Sequence, residues 1–461
     1  MEREHEPSTV RFDDSLSILV DVVHRELGNR VLRNGIALRD VNGKLAFISK
    51  GKLNATKRDR AEAQLRKALL NYARSDRVLA DIGDFGTAPL LEEKGYLHVR
   101  VSGHVVSLLD RRLVGGDWLR SPAPVAPPPS RFVFASLKGG VGRSTALSVA
   151  AADLARQGRR VLAVDLDMEA PGLGSILLDD ETLPEFGIVD ALVENNISRL
   201  DQAFFADLVG PSGLADRNGK IDVIPAFGKR SRKNPGDVLA KIARAYTEDI
   251  DEDGNVSTVL DQINSIIANY SQPNRYDVIL LDARSGLNET TASAVLGLGA
   301  EILFFGLNDA QTFHGYAALF AHLARFLEDD QSLPEWIGRL TMVQAKASAD
   351  PSDREEFSER SKSLFLDSGL ARPMNREEPF NRKESVSSFR EIVWREDNDD
   401  IDLDFVESQP SVPIAILEDE HFRRFRPLIN NDVLLHSVYM SSYGSLLERI
   451  REAVNNSVDS I

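Results

Sequence analysis

The 461-residue chain contains no cysteine. That excludes thiolate zinc sites, cysteine-held iron–sulfur clusters, cysteine nucleophiles and disulfides, and it fits a reducing, cytoplasmic setting. Long apolar runs are missing too. The longest are strand-sized, so no membrane span is expected. The charged start, MEREHEPSTV, offers no apolar core for a secretory signal. Basic residues are outnumbered, with 55 Lys and Arg against 71 Asp and Glu and a formal net charge of −16. This argues against a generally basic nucleic-acid surface but leaves room for a local patch. No internal repeat, Ser-His-Asp set, zinc-ligand spacing or pair of catalytic carboxylates stands out.

What is present divides the chain, whose length calls for two or three domains. The stretch SPAPVAPPPS, residues 121–130, has too much proline for a helix or an internal strand and reads as a semi-rigid linker. Residues 1–120 before it form a smaller α+β domain without a catalytic signature. Helical spacing runs over Leu16–Leu27 and Thr56–Ala73. Lys44–Ser49 reads as a strand entered through the turn Asn42-Gly43, and His98–Leu109 as a strand or hairpin. Residues 131–461 alternate strand and helix. The strands expected are Arg131–Leu137, Val161–Asp167, Asp222–Phe227, Tyr276–Asp282, Glu301–Leu307, Leu340–Lys346 and Val412–Ile416. Several are apolar almost throughout, as strands covered on both faces are. The alternation predicts an α/β fold with a doubly wound, mainly parallel sheet, closed by a C-terminal helix. Two acidic stretches, Glu248–Asp253 and Glu396–Asp404, read as exposed loops.

Three motifs carry chemistry. The first is SLKGGVGRST, from Ser136 to Thr145, between an apolar strand and a helix. Gly139, Gly140 and Gly142, with Val141 between them, let the backbone curl so that successive amides point at phosphate oxygens. The helix N-terminus adds its dipole. Lys138 and Arg143 supply charge, and the hydroxyl of Ser144, next to Thr145, suits magnesium. The second is VLAVDLDMEAPGLGS, a buried strand ending in two aspartates, then a glycine-containing loop with Gly172 and Gly174 as hinges. The third is YDVILLDARSGLNE, which sets Asp282 at a strand end, where a carboxylate can hold magnesium through water.

The first motif resembles the deviant Walker A loop of ParA/MinD-type ATPases, and the other two follow in that family's order. The resemblance spans Arg131 to about Leu428 and is strongest up to Leu307. It implies ATP and Mg2+ as cofactors and a nucleotide-dependent homodimer in which Lys138 reaches the partner's nucleotide. It implies that Asp167 positions the attacking water, that Ser144 and Asp282 hold magnesium, and that the Gly286 amide faces the γ-phosphate. Two departures stand out. Arg143 occupies the phosphate-lysine position, keeping the charge on a bulkier, planar group. Arg284 replaces a customary proline and serves either as an internal arginine finger or as the ion-pair partner of Asp167 or Glu289. The base is expected near Gln344–Lys346 and Leu417–Glu420.

Within this superfamily, the nitrogenase iron protein and the arsenical-pump ATPase need cysteines. Tyrosine kinases of this fold carry a terminal tyrosine cluster, whereas only Tyr439 and Tyr443 lie near this end. The tail also lacks the basic membrane-seeking helix of MinD, so no membrane partner is expected. The basic run Lys229–Lys233 reads as a solvated or nucleotide-adjacent loop, which leaves DNA binding possible in principle and not favoured. His314 is expected to cap or pack a helix start, and Trp118 to anchor a core or domain interface. The functional expectation is an ATP-dependent switch with slow hydrolysis that regulates or positions a protein partner, recruited through residues 1–120. The alternatives are a non-hydrolysing nucleotide-dependent scaffold and a DNA or cargo partitioning ATPase.

Overall fold

The computed structural model describes residues 10–93, 96–215, 218–250, 256–327, 332–372 and 409–458. The expected acidic loop at Glu396–Asp404 lies outside them, as does part of the one at Glu248–Asp253. The strands, in chain order, are β1 (Ile36–Arg39), β2 (Leu45–Ser49), β3 (Leu79–Asp81), β4 (Leu97–Val101), β5 (His104–Asp110), β6 (Ser130–Ser136), β7 (Arg160–Asp165), β8 (Gly210–Pro211), β9 (Lys220–Ile224), β10 (Asp249–Ile250), β11 (Val256–Ser257), β12 (Val278–Asp282), β13 (Glu301–Gly306), β14 (Leu340–Ala347) and β15 (Ile414–Leu417).

Among the described residues the first five strands form one sheet in the order β3-β2-β1-β5-β4, with antiparallel and parallel pairs mixed. Two helices cover one face of it, Phe12–Leu27 and Ala55–Leu69. The first carries Asp13 and Asp14 in its opening turn and His24 and Arg25 in its last, matching its dipole. Its buried Leu19, Val20 and Val23 pack with Leu65 and Leu69 on Phe47 and Leu108.

The larger sheet has the order β15-β14-β13-β6-β12-β7-β9-β8, parallel except at the edge strand β8. All seven strands expected after the linker are present. The second ends at Asp165 rather than Asp167, which leaves Asp167 in the following loop. Apolar cores lie on both faces, which is why these strands lack alternation. β6 lies between β12 and β13, so the order reverses around the glycine loop that follows it. That crevice is where open α/β sheets bind ligands.

The proline-rich stretch is pinned to the larger sheet. Ala123 donates its amide to Leu296 at 2.7 Å and Ala126 donates to Gly299 at 2.9 Å, while Arg339 Nη2 donates to the Ala123 carbonyl at 2.6 Å. A side chain at Gly299 would strike the Pro124 carbonyl, so the close approach requires glycine there. The two sheets also meet through the turn Asp117–Leu119. The buried carboxylate of Asp117 accepts from the Leu260 amide at 2.9 Å and from Ser293 Oγ at 3.2 Å. Trp118 is buried edge-on against His322, at 5.9 Å between ring centres, and its carbonyl lies 2.6 Å from His322 Nε2. As a carbonyl can only accept, the ring carries its proton on Nε2.

Burial lowers the His322 pKa below its usual 6.5. The hydrogen bond to Trp118 opposes this, and the nearby Arg325 and Arg112 add to it, against Asp110. The unfolded chain therefore takes up this proton at a higher pH than the folded one. The stabilisation is fully present above about pH 6.5 and is lost as the pH falls below it. Urea unfolding at pH 7.5 and 5.5 is expected to show a larger acid loss for the wild type than for His322→Gln, whose amide does not titrate. Equal losses would remove His322 from the account.

Candidate functional site

The glycine loop joins β6 to the helix Arg143–Arg156. Gly140 and Gly142 have φ of +75° and +96°, left-handed conformations that side chains resist, and no atom lies within 4 Å of where their Cβ atoms would stand. The loop is thus an open bowl of backbone. Its rim is tied down at the Lys138 carbonyl, which accepts from Ser136 Oγ at 2.8 Å, and at the Gly140 carbonyl, which accepts from Lys346 Nζ at 2.8 Å. Lys138 is exposed, with its Nζ 3.8 Å from Asp309. Gly139 is exposed, Val141 is buried, and Thr145 is half-buried on the cavity side.

Beneath the bowl, parallel pairing sets Asp282 of β12 beside Asp165 of β7. Both are buried, as is Asp167 two residues on. Burial raises the pKa of Asp165 well above the carboxylate range, and repulsion from Asp282 adds to it. Its oxygens accept from the amides of Asp167 and Leu173, each at 3.1 Å, so this carboxyl shapes the loop. Asp282 is also raised, chiefly by burial, against the pull of Arg143 and the hydrogen bond from Ser144. Ser144 Oγ donates to Asp282 Oδ2.

Arg143 lines the cavity beside the bowl, yet its charge is engaged by carboxylates. Its buried guanidinium turns down between two carboxylates, with Nη2 3.4 Å from Asp167 Oδ2 and Nε 3.8 Å from Asp282 Oδ1. Nη1 and Asp282 Oδ1 are buried without hydrogen-bond partners. Arg284 pairs with neither residue expected of it. Its Nη1 lies 2.6 Å from Glu169, whose carboxylate also accepts from Tyr246 at 2.7 Å, while Glu289 accepts from the Gly115 amide. The Gly286 amide faces the Ser136 carbonyl at 2.9 Å and donates there, not into the bowl. Gly174 is not a hinge by conformation. It lies in a short helix, Leu173–Leu177, where a Cβ would meet Pro225.

A cavity of about 420 Å3 adjoins the bowl, bounded by Gly142, Thr145, Lys346, Asp419, Phe422 and Tyr443 among others. The rings of Phe422 and Tyr443 meet edge to face at 4.9 Å. The late loops expected near a base do reach it. Phe422 and Tyr443 were not foreseen, because nothing in their local pattern separates them from core aromatics. Glu169 and Tyr246 were missed as well; the acidic residue two places after Asp167 was the available signal. The basic run forms the helix Lys229–Lys233, where Arg230 pairs with Glu185 at 3.1 Å and Arg232 with Asp180 at 3.0 Å. His314 is exposed on the helix Ala310–Leu323. Among the described residues no helix is long and apolar enough to cross a membrane.

A profile of the CobQ/CobB/MinD/ParA nucleotide binding domain matches residues 132–455, well over half of the chain. The chain belongs to that family. Similar solved structures include the cell division ATPase MinD of Pyrococcus furiosus, at 15% identity over 71% of this chain and 100% of that one, with a TM-score of 0.40. A ParA family ATPase from Chlorobium tepidum matches at 15% over 68% and 98%, with a TM-score of 0.39. Cobyrinic acid a,c-diamide synthase from Mycobacterium smegmatis, solved with ADP and magnesium, matches at 16% over 52% and 81%, with a TM-score of 0.32. No curated protein matches the chain.

The Glu169 contacts strap the loop after β7 to the loop after β12. Glu169→Gln removes the ion pair and is expected to loosen this strap by about 1 kcal/mol, the upper range for a partly exposed pair. Hydrogen exchange should speed up at residues 168–175. Unchanged exchange there would mean that the strap contributes nothing.

Proposed function

We propose that this chain is an ATP-binding switch that dimerises on nucleotide and hydrolyses it slowly with magnesium. The supporting observation is the open glycine bowl set above the Ser144–Asp282 pair at the sheet's reversal point. The donor set fits a magnesium nucleotide. The loop amides and the helix N-terminus suit phosphate, Ser144 and the orphaned Asp282 oxygen suit a divalent cation, and the orphaned Arg143 nitrogen suits an anion. Aromatic rings and late-loop polar groups line the adjoining cavity, where a base and ribose would lie.

Magnesium bound there would supply positive charge against the phosphate oxygens. The remaining work falls to this chain. Ser144 and Asp282 would hold the metal, and Asp167 would orient water. Lys138, in the deviant Walker A reading, would reach from its exposed position to a second subunit's phosphates. Arg143 would add charge only after leaving Asp167. Arg284, held by Glu169, would act as a finger only after the strap opens. Both requirements argue for slow turnover. Residues 1–120 are the proposed partner-recruiting domain, with the proline-rich 121–130 and residues 131–461 as linker and switch, in a cytoplasmic protein. The Arg143–Asp167 contact favours one second reading, a scaffold that binds ATP and barely hydrolyses it. DNA partitioning is less favoured, because Arg230 and Arg232 already face carboxylates.

Light scattering with AMPPNP and magnesium is expected to show a dimer, and the purified protein is expected to release phosphate slowly. Asp167→Ala should lower that rate by about tenfold or more, the scale of one lost charge-assisted contact in the transition state. Arg143→Lys should raise it. If Asp167→Ala matches the wild type while AMPPNP still drives dimers, the scaffold reading stands and hydrolysis falls. If no nucleotide binds, both fall.

A further inference from the structure

A second cavity, of about 1020 Å3, lies between the N-terminal sheet and the larger domain. Arg39, at the end of β1, faces it with only 9% of its surface exposed. Its guanidinium carbon lies 4.2 Å from the centre of the Phe12 ring, and its Nε is buried without a hydrogen-bond partner. From the other side comes Arg325, on the turn Ala324–Phe326. The nearby carboxylate, Asp110, is already taken by Arg112, which places Nε and Nη2 3.0 and 2.8 Å from the same oxygen. Asp13 and Asp367 also line the cavity, and among the described residues neither forms an ion pair with either arginine.

A buried guanidinium nitrogen left without an acceptor is costly, and structural buried arginines are usually paired in full. Burial lowers the Arg39 pKa; Asp110 opposes this, and Arg325 and Arg112 lower it further. Were Arg39 there only to fill space, an apolar residue would serve better. The buried Arg39 and the exposed Arg325 face one cavity, and with the hydroxyl residues Ser17 and Ser368 also on its wall they match a multi-oxygen anion. The volume is at the upper end of small-molecule sites and admits a ligand of nucleotide size.

We propose that this cleft binds a phosphate monoester, clamped between Arg39 of the N-terminal sheet and Arg325 of the larger domain. The site is separate from the glycine bowl and does not depend on what that bowl holds. Equilibrium binding of AMP and of inorganic phosphate to the full chain, with AMPPNP and magnesium saturating, tests it. One site per chain is expected at low ionic strength. Arg39→Met and Arg325→Met should each weaken it by about tenfold, the effect of one lost charge-assisted hydrogen bond. AMPPNP affinity should stay unchanged as evidence of an intact fold. Tighter AMP than phosphate identifies an organic ester as the ligand, and equal affinity identifies phosphate itself. Absence of binding by both probes, or binding that neither variant weakens, overturns the proposal. Should Arg39→Met fail to fold, Arg325→Met, on a surface turn, decides alone.

Discussion

The site rests on one electrostatic constraint: three carboxylates are buried where two neighbouring parallel strands end. Register alone puts Asp282 beside Asp165, and the turn out of β7 brings Asp167 to the same place. Like charges so close cannot all ionise in a poorly solvated site. The structure resolves this three ways. Asp165 is pushed toward its neutral form while its oxygens hold backbone amides. Asp282 accepts a hydrogen bond from the Ser144 hydroxyl. Asp167 shares the guanidinium of Arg143. Arginine suits this role because its planar fork faces two carboxylates at once, whereas lysine offers a single point charge.

That use of Arg143 changes what is left for a phosphate. The loop keeps its amides and its helix dipole, with one unpartnered Arg143 nitrogen, and Lys138 and Lys346 each stand near an oxygen at its rim. Lys346 has φ of +50°, a conformation unusual for a side-chain-bearing residue, next to a register irregularity between β14 and β15. Such strain is kept where surrounding structure enforces it. Here it aims an ammonium back at the glycine loop.

The large sheet was legible because strands buried on both faces are written as nearly continuous apolar runs, and their ends mark where chemistry sits. Asp167, Asp282 and Ser144 could be named from motif order alone. Side-chain direction could not. Whether Arg143 points up to a phosphate or down to Asp167 depends on a balance of charge among strands that are distant in sequence. The same holds for Arg284, whose partner Glu169 is 115 residues away in sequence. The pinned linker was hidden for a related reason. Proline density predicts extension, and it is silent on whether Leu296 and Gly299 offer carbonyls to the extended chain.

These long-range contacts join the N-terminal unit to the site through one segment. Gly115 donates to Glu289, and Asp117 accepts from Ser293. Both partners lie just beyond Arg284, whose Glu169 contact leads back to the loop holding Asp167. The segment then runs through a π turn, Ser293–Gly297, a rare winding that is frequent at functional sites. Contiguity by itself is not coupling; an element with two arrangements that both ends bias is required. The stretch from Arg284 to Gly297 satisfies the geometric half of that requirement. It has a breakable ion pair at one end, the N-terminal unit's backbone and carboxylate at the other, and a non-ideal helical turn after them. A partner that shifted the Gly115–Asp117 turn would therefore act first on Glu289 and Ser293, and through them on whether Arg284 stays with Glu169.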